Sequence, residues 1–217
     1  MNKAILEFSV YFVYNNQKCN FAIKFDVTVY LNAGVAMSRI ELRRVTESCE
    51  MDEFNCGNSS IEQQIKYAYY SSLLQAGYAY EVVLNNKIVG YYMITLTTLH
   101  SSNLPPDLQQ YYAIDNQRFP AVEIVYLAIR KDFQNRRIGT NVLKTIIKII
   151  RNWCNQIPIR FIVLDALKEK MPWYEQHGFF AIEKPETDKP TVKMFLDCII
   201  DREKLESYIE SYIERRG

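Results

Sequence analysis

The sequence predicts a mixed α/β fold: a twisted mixed sheet flanked by helices, with an extra β-hairpin at its N-terminus. Three observations predict it. Several segments alternate apolar and polar residues with the period of two that half-buried strands show. Between them lie stretches with apolar residues at helical spacing. Residues 121–164 read strand, turn, helix, strand, the order of a β–α–β crossover. The chain has 217 residues, 48% of them apolar and 24% charged, which is ordinary for a folded globular protein and excludes disorder as the main state.

Residues 20–31 give the cleanest alternation: Phe21, Ile23, Phe25, Val27, Val29 and Leu31 are apolar, with Ala22, Lys24, Asp26, Thr28 and Tyr30 between them. Residues 4–14 read as the hairpin partner across Asn15–Lys18, and Asn32-Ala33-Gly34 as a linker. A second start, Met37, opens SRIELRRV. The expected organisation is therefore a hairpin appendage over 1–36, a core domain over 37–198 and a C-terminal amphipathic helix over 199–217.

Within the core a strand is expected over 39–45. Ser59 and Glu62 fit a capping box, opening a helix that puts Ile61, Ile65, Ala68 and Ser72 on one face and ends before Gly77. Strands 79–84 and 87–98 form a hairpin across Asn85-Asn86. Residues 99–120 are polar, contain Pro105, Pro106 and Pro120, and read as a long loop. Strand 121–129 follows, then a polar turn and a helix over 138–154 whose apolar face runs from Val142 to Trp153. Strand 159–164 is its crossover partner. Pro172 suits the first turn of a short helix and Gly178 the position just past its end. Strands 179–182 and 191–197 precede a helix over 200–215 with Leu205, Tyr208, Ile209, Tyr212 and Ile213 in one stripe.

Composition narrows the chemistry. Lys plus Arg is 26 against 25 Asp plus Glu, a net charge of +1, so nothing global favours nucleic acid. Cysteines at 19, 49, 56, 154 and 198 are odd in number and lack CxxC spacing, so neither a disulfide framework nor a zinc ribbon is indicated. The two histidines, His100 and His177, suit a polar loop and a helix end, and no metal is expected. No apolar run approaches the length of a membrane span, and the whole reads as a soluble, reducing, cytoplasmic protein without membrane contact.

The segment from Tyr126 to Val142, YLAIRKDFQNRRIGTNV, carries the chemistry. A strand ends, a polar turn follows and a helix begins near Gly139. Amides at a helix start have no intrahelical partner and sit at the positive end of its dipole, so the turn makes an anion pocket suited to a pyrophosphate. Residues 130–160 hold eight lysines and arginines against one acid, Asp132. The P-loop and dinucleotide fingerprints both need more glycines than this segment has.

Gln134-Asn135-Arg136-Arg137-Ile138-Gly139-Thr140 resembles the Q/R-x-x-G-x-G/A signature of the GNAT acetyltransferases. It departs where Arg137 replaces the first glycine. Trp173-Tyr174-Glu175-Gln176-His177-Gly178-Phe179 resembles the family's F-Y-x-x-x-G-F motif, in the right order and at the right distance. The resemblance covers about residues 39–197. It implies acetyl-CoA as co-substrate, with pyrophosphate on the amides of Gln134, Asn135, Arg136, Arg137, Ile138, Gly139 and Thr140. Pantetheine would pair with the edge of Leu127, Ala128 and Ile129, where an amide near Leu127 or Ala128 would hold the developing oxyanion. The acceptor amine would attack directly. With a pKa near 10 it is only about one part in a thousand neutral at pH 7, so its proton must be taken. The resemblance makes Tyr174 the general acid for the departing sulfur. Glu123 opens EIVYLAI, similar to the strand that carries the general base in histone-acetyltransferase members. Cys56, not needed for direct transfer, reads as a packing residue.

A narrower resemblance concerns the acceptor. Phe54-Asn55-Cys56-Gly57, the helix after it and residues 82–95 are similar to the GNAT toxins of bacterial toxin–antitoxin pairs, which acetylate the α-amine of aminoacyl-tRNA and are held by a small DNA-binding antitoxin. The resemblance leaves a protein or small-molecule amine, an aminoacyl-tRNA, or a non-catalytic CoA-binding module as alternatives. The hairpin and the C-terminal stripe read first as cover for the core; as the alternative, a second copy, as a homodimer, or another partner could join through them.

Overall fold

The protein is described by a computed structural model covering residues 6–11, 24–33, 36–46, 53–104, 118–182, 188–199 and 201–214. Among the described residues, strands are interspersed with helices along the chain, so the expected α/β class holds. The strands are β1 (Leu6–Tyr11), β2 (Lys24–Ala33), β3 (Ala36–Arg44), β4 (Tyr78–Leu84), β5 (Lys87–His100), β6 (Arg118–Ile129), β7 (Phe161–Leu167), β8 (Phe180–Ala181) and β9 (Thr191–Asp197). The helices are α1 (Ser59–Lys66), α2 (Ala68–Leu73), α3 (Ile138–Trp153), α4 (Met171–Glu175) and α5 (Arg202–Glu214). Among the described residues no helix is long and apolar enough to cross a membrane.

The chain forms two compact units, Met1–Thr95 with Ile124–Ile146, and Leu96–Glu123 with Ile147–Gly217. Strands β5 and β6 and helix α3 run through both. In the first unit the strand order is β1-β2-β3-β4-β5 followed by the C-terminal part of β6. Strands β1 to β5 pair antiparallel in sequence. Asn32 and Ala33, expected in a linker, are the last residues of β2: Asn32 pairs with Met37 and Ala33 with Ala36, so the N-terminal strands extend the sheet directly from β3. The turn expected at Asn15–Lys18 lies outside the described residues.

The first unit's core joins sheet to helix. Ile65, Ala68 and Ser72 are buried and Ile61 packs beside them, as the helical spacing predicts. The single helix expected there is two, broken at Tyr67, where Tyr67 N–H bonds back to Gln64 at i−3 and a new helix starts. Ser72 stays buried because its hydroxyl donates to Ala68 C=O (3.0 Å) and accepts from Ala79 N–H (3.3 Å).

In the second unit the order is the N-terminal part of β6, then β7, β9 and β8. Neighbours β6 and β7 are separated in sequence by α3, the expected crossover order. Strand β7 begins two residues later than expected and runs on to Leu167, paired antiparallel with β9 throughout. Phe161 sits edge-on to both Phe119 (5.6 Å) and Phe195 (5.7 Å) at the centre of this unit's core. The expected loop over 99–120 is shorter than foreseen: β5 continues to His100, a 3-10 turn covers Ser101–Asn103 and β6 starts at Arg118, while 105–117 lie outside the described residues. Of the C-terminal stripe, Leu205 is half-buried and Tyr208 exposed; the side chains of Ile209, Tyr212 and Ile213 lie outside the description.

Candidate acetyl-CoA site

The residues singled out in the sequence fall into two groups, one in each unit. The first comprises the end of β6 (Leu127, Ala128, Ile129) and the turn Gln134–Thr140 leading into α3. Arg130 N–H donates to Val89 C=O at 2.8 Å, which ties the end of β6 to β5. Gly90 lets the strands approach: a Cβ there would lie 2.5 Å from Ala128 C=O and 2.7 Å from Ile129 Cδ1. Gly90 lies within the 82–95 resemblance, which assigns it no role; the available signal was a glycine inside a strand, which often marks a close backbone approach.

Beyond Arg130 a 3-10 turn (Lys131–Phe133) carries the chain to Gln134. The Gln134 side-chain amide donates to Ile129 C=O (2.9 Å) and to Cys56 C=O (2.8 Å). Lys131 N–H donates to Asn55 C=O (2.9 Å), so the 53–58 segment is fastened to the turn at two points. Asn135 and Arg137 both have φ of 60°. That is the left-handed region, which asparagine tolerates and glycine adopts freely. Arg137 therefore adopts a backbone conformation more usual for glycine, although it has a Cβ. The first intrahelical bond of α3 runs from Asn141 N–H to Arg137 C=O (3.1 Å), which makes Arg137 the N-cap and leaves the Ile138 and Gly139 amides ahead of the ladder. Ile138 is buried and anchors the helix start, while Lys131, Arg136 and Arg137 are exposed. Arg130 is paired with Asp132 (3.0 and 3.1 Å), and the Arg136 guanidinium lies over the Phe133 ring at 5.2 Å.

The expected capping box is replaced by a different arrangement. Asn58, one residue before Ser59, is the N-cap of α1, its Oδ1 accepting from Ile61 N–H at 3.1 Å. Glu62, four residues past that cap, turns its carboxylate upstream and accepts from Cys56 N–H (2.8 Å) and Gly57 N–H (3.0 Å). The Cys56 hydrogen bond, more than any other interaction, holds its carboxyl below the usual range. Cys56 itself is half-buried, and burial raises its thiol. That opposes thiolate formation and fits the packing role expected of it.

The second group is Tyr174 and Glu123. Pro172 stands in the first turn of α4 and Gly178 follows the helix end with φ of 87°, as the sequence indicates. Between them Tyr174 is half-buried against Trp173 (4.7 Å) and Phe179 (5.7 Å), and burial pushes its hydroxyl up to about 12. His177 closes the helix end by donating from Nδ1 to Trp173 C=O at 2.7 Å, and His100 Nδ1 accepts from Ser102 N–H at 3.3 Å. His177 is thus at the helix end expected of it, whereas His100, expected in a polar loop, is the last residue of β5. Glu123 on β6 is half-buried; burial raises its carboxyl, opposed by Lys193 and reinforced by Asp165, two residues that pair across β7 and β9.

A family model described as the acetyltransferase (GNAT) family matches residues 47–179, more than half of the chain. The chain belongs to the GNAT family. No curated protein sequence matches it. Among solved structures, a bacterial toxin matches with a TM-score of 0.65 and 18% identity, covering 79% of this GNAT chain and 95% of the toxin. A tyrosine-to-phenylalanine mutant of KacT matches with TM-score 0.62 and 17% identity over 78% and 98% of the two chains. AtaT complexed with acetyl-methionyl-tRNAfMet matches with TM-score 0.59 and 17% identity over 71% and 93%. The neighbours therefore share the fold, and the expected resemblance to GNAT toxins holds at that level.

Proposed function

We propose that this GNAT protein moves an acetyl group from acetyl-CoA directly onto a primary amine. The turn at 134–140 carries the reading: two left-handed residues, Asn135 and Arg137, lead straight into the N-terminus of α3 within the segment the family model matches. Amides at that terminus favour an anion, and exposed Lys131, Arg136 and Arg137 supply charge for the diphosphate of CoA. The edge at Leu127–Ile129 aligns pantetheine. Glu123, its carboxyl raised by burial, takes a proton from the acceptor amine. The amine nitrogen bonds to the thioester carbonyl carbon, the carbon–sulfur bond breaks, and Tyr174 gives its proton to the departing thiolate. A hydroxyl pushed up to about 12 remains protonated at neutral pH and so stays available for that step.

Calorimetry with acetyl-CoA and a thiol-release assay over a panel of primary amines test the reading. Acetyl-CoA binding with amine-dependent thiol release is expected, and Gly139→Asp weakens binding through bulk and charge. A protein that neither binds the coenzyme nor releases thiol with any amine, charged tRNA included, overturns it.

A second reading, the α-amine of aminoacyl-tRNA as acceptor, is favoured by the solvent side of α3. Its exposed charged side chains are Lys144, Lys148 and Arg151, at helical spacing and without an acid among them. Phosphate contacts dominate RNA affinity and make it fall steeply with salt. One neighbour, AtaT, has been solved with an acetylated aminoacyl-tRNA. Mass spectrometry of charged tRNA incubated with protein and acetyl-CoA decides this reading: an unmodified α-amine excludes it.

A further inference from the structure

The coenzyme turn rests on the 53–58 segment, and one carboxylate grips that segment from the other side. We propose that Glu62 is a positioning residue for acetyl-CoA binding, acting through Cys56 and Gln134; the inference rests on the proposed reading of the 134–140 turn. The Cys56 main chain is held at both polar atoms: its N–H donates to Glu62 Oε1 (2.8 Å) and its C=O accepts from Gln134 Nε2 (2.8 Å). The same Gln134 nitrogen donates to Ile129 C=O at 2.9 Å, so both its hydrogens are used and the amide spans from the segment to the strand end. A continuous relay thus runs from Glu62 through Cys56 and Gln134 to Ile129. Its last two members open the coenzyme turn and close the strand edge expected to align pantetheine.

The neighbouring geometry makes Glu62 the fixed end of this relay. Gly57 has φ of 85°, and its N–H is shared between Glu62 Oε1 (3.0 Å) and Asn55 Oδ1 (2.9 Å). The carboxylate therefore stabilises a reversal that residues at other φ would not make. Glu62 N–H donates to Asn58 C=O at 3.0 Å, within the capped first turn of α1, so the side chain springs from a rigid base. Bonds from N–H groups to a carboxylate are about twice as strong as neutral ones, and an acceptor of this kind cannot be replaced by a methyl group without releasing both amides.

The test compares Glu62→Ala and Glu62→Gln with the wild type in acetyl-CoA calorimetry and steady-state kinetics. Glu62→Ala raises the acetyl-CoA Kd and KM roughly ten-fold or more, the scale of losing hydrogen bonds to a charged group, while the KM for the amine moves less than two-fold. Glu62→Gln, whose amide oxygen still accepts, recovers most of the loss. In the double variant Glu62→Ala, Gln134→Ala the losses fall well short of multiplying, because both act on the same peptide. If Glu62→Ala is poorly folded, the Gln variant and the Gln134 cycle with it carry the test. Wild type that binds acetyl-CoA alongside a folded Glu62→Ala with unchanged Kd, or independent losses in the cycle, overturns the inference alone. Wild type that fails to bind acetyl-CoA overturns the reading beneath it as well.

Discussion

Substituting Gly90 by alanine measures how closely β5 and β6 must approach for the strand end at Leu127–Ile129 to hold its place. The new Cβ would lie 2.5 Å from Ala128 C=O, about 0.9 Å short of the 3.4 Å at which ordinary contact begins. The second contact, Ile129 Cδ1 at 2.7 Å, is a side-chain end that can rotate away; the carbonyl belongs to the strand and moves only with it. Overpacking of this kind costs about 1–3 kcal/mol. Alanine also restricts the unfolded chain, which returns about 0.4–1 kcal/mol. The net loss is about 1–2 kcal/mol, and for a protein of this size each kcal/mol lowers Tm by about 2–4 °C. Thermal melts should fall by roughly 2–8 °C, and the acetyl-CoA KM should rise because the displaced carbonyl belongs to the strand end proposed to align pantetheine. Gly77→Ala is the comparison: its Cβ presses first on the flexible Met93 methyl group and should leave the acetyl-CoA KM unmoved. A Gly90→Ala protein that melts at or above the wild-type temperature with an unchanged KM would refute the reasoning.

Three other outcomes are expected. Tyr174→Phe lowers turnover by about 10²- to 10⁴-fold, the range of general acid catalysis, with acetyl-CoA affinity nearly intact; full turnover in stopped assays removes the tyrosine from the mechanism. Turnover falls as pH drops through the raised carboxyl pKa of Glu123, because the base must be deprotonated, and Glu123→Gln lowers turnover and loses that acid limb; an unchanged pH profile assigns the base elsewhere. Glu62 has a lowered carboxyl, so its stabilisation is complete above the ordinary value of 4.5 and is lost as pH falls through the lower folded value; melts across that window should show the wild type losing its advantage over Glu62→Gln.

Where the sequence was informative, the relevant physics was local. The apolar spacing of Ile65, Ala68 and Ser72 marks the buried face of the first helices, because helical geometry alone decides which side chains share a side. Pro172 and Gly178 bracket α4 for equally local reasons. The Q/R-x-x-G-x-G/A resemblance falls on the turn despite Arg137, which takes a φ of 60° there although it is not a glycine. What the sequence hid depends on partners far along the chain. Gln134 and Cys56 are 78 residues apart, and nothing in either segment announces their hydrogen bond. Glu62 was read as half of a capping box because Ser59 lies three residues before it; Asn58 outcompetes Ser59 for the cap, and the carboxylate is redirected to amides upstream. The linker at Asn32–Ala33 failed for a related reason: a small polar run also suits the end of a strand whose partner follows at once.

The charge around α3 separates stability from binding. A helix start favours anions, yet the first turn of α3 holds no acid, and Arg137 caps it with Arg136 and Lys131 exposed just before. Cations at that end are unfavourable by about 0.3–1 kcal/mol each at an exposed site. Left-handed φ at Asn135 and Arg137 adds strain on the order of 1 kcal/mol per residue. Against this stand the two Gln134 hydrogen bonds and the Lys131–Asn55 bond, each contributing about 1 kcal/mol. These opposing terms are of similar size, so in the free protein the hydrogen bonds do no more than offset the strain and the repulsion. A diphosphate set among those cations and amides reverses the sign of the charge term, turning repulsion in the free protein into attraction in the complex. On the proposed reading, Arg137 brings to this turn, at the cost of a left-handed backbone, a charge that becomes favourable when the diphosphate binds.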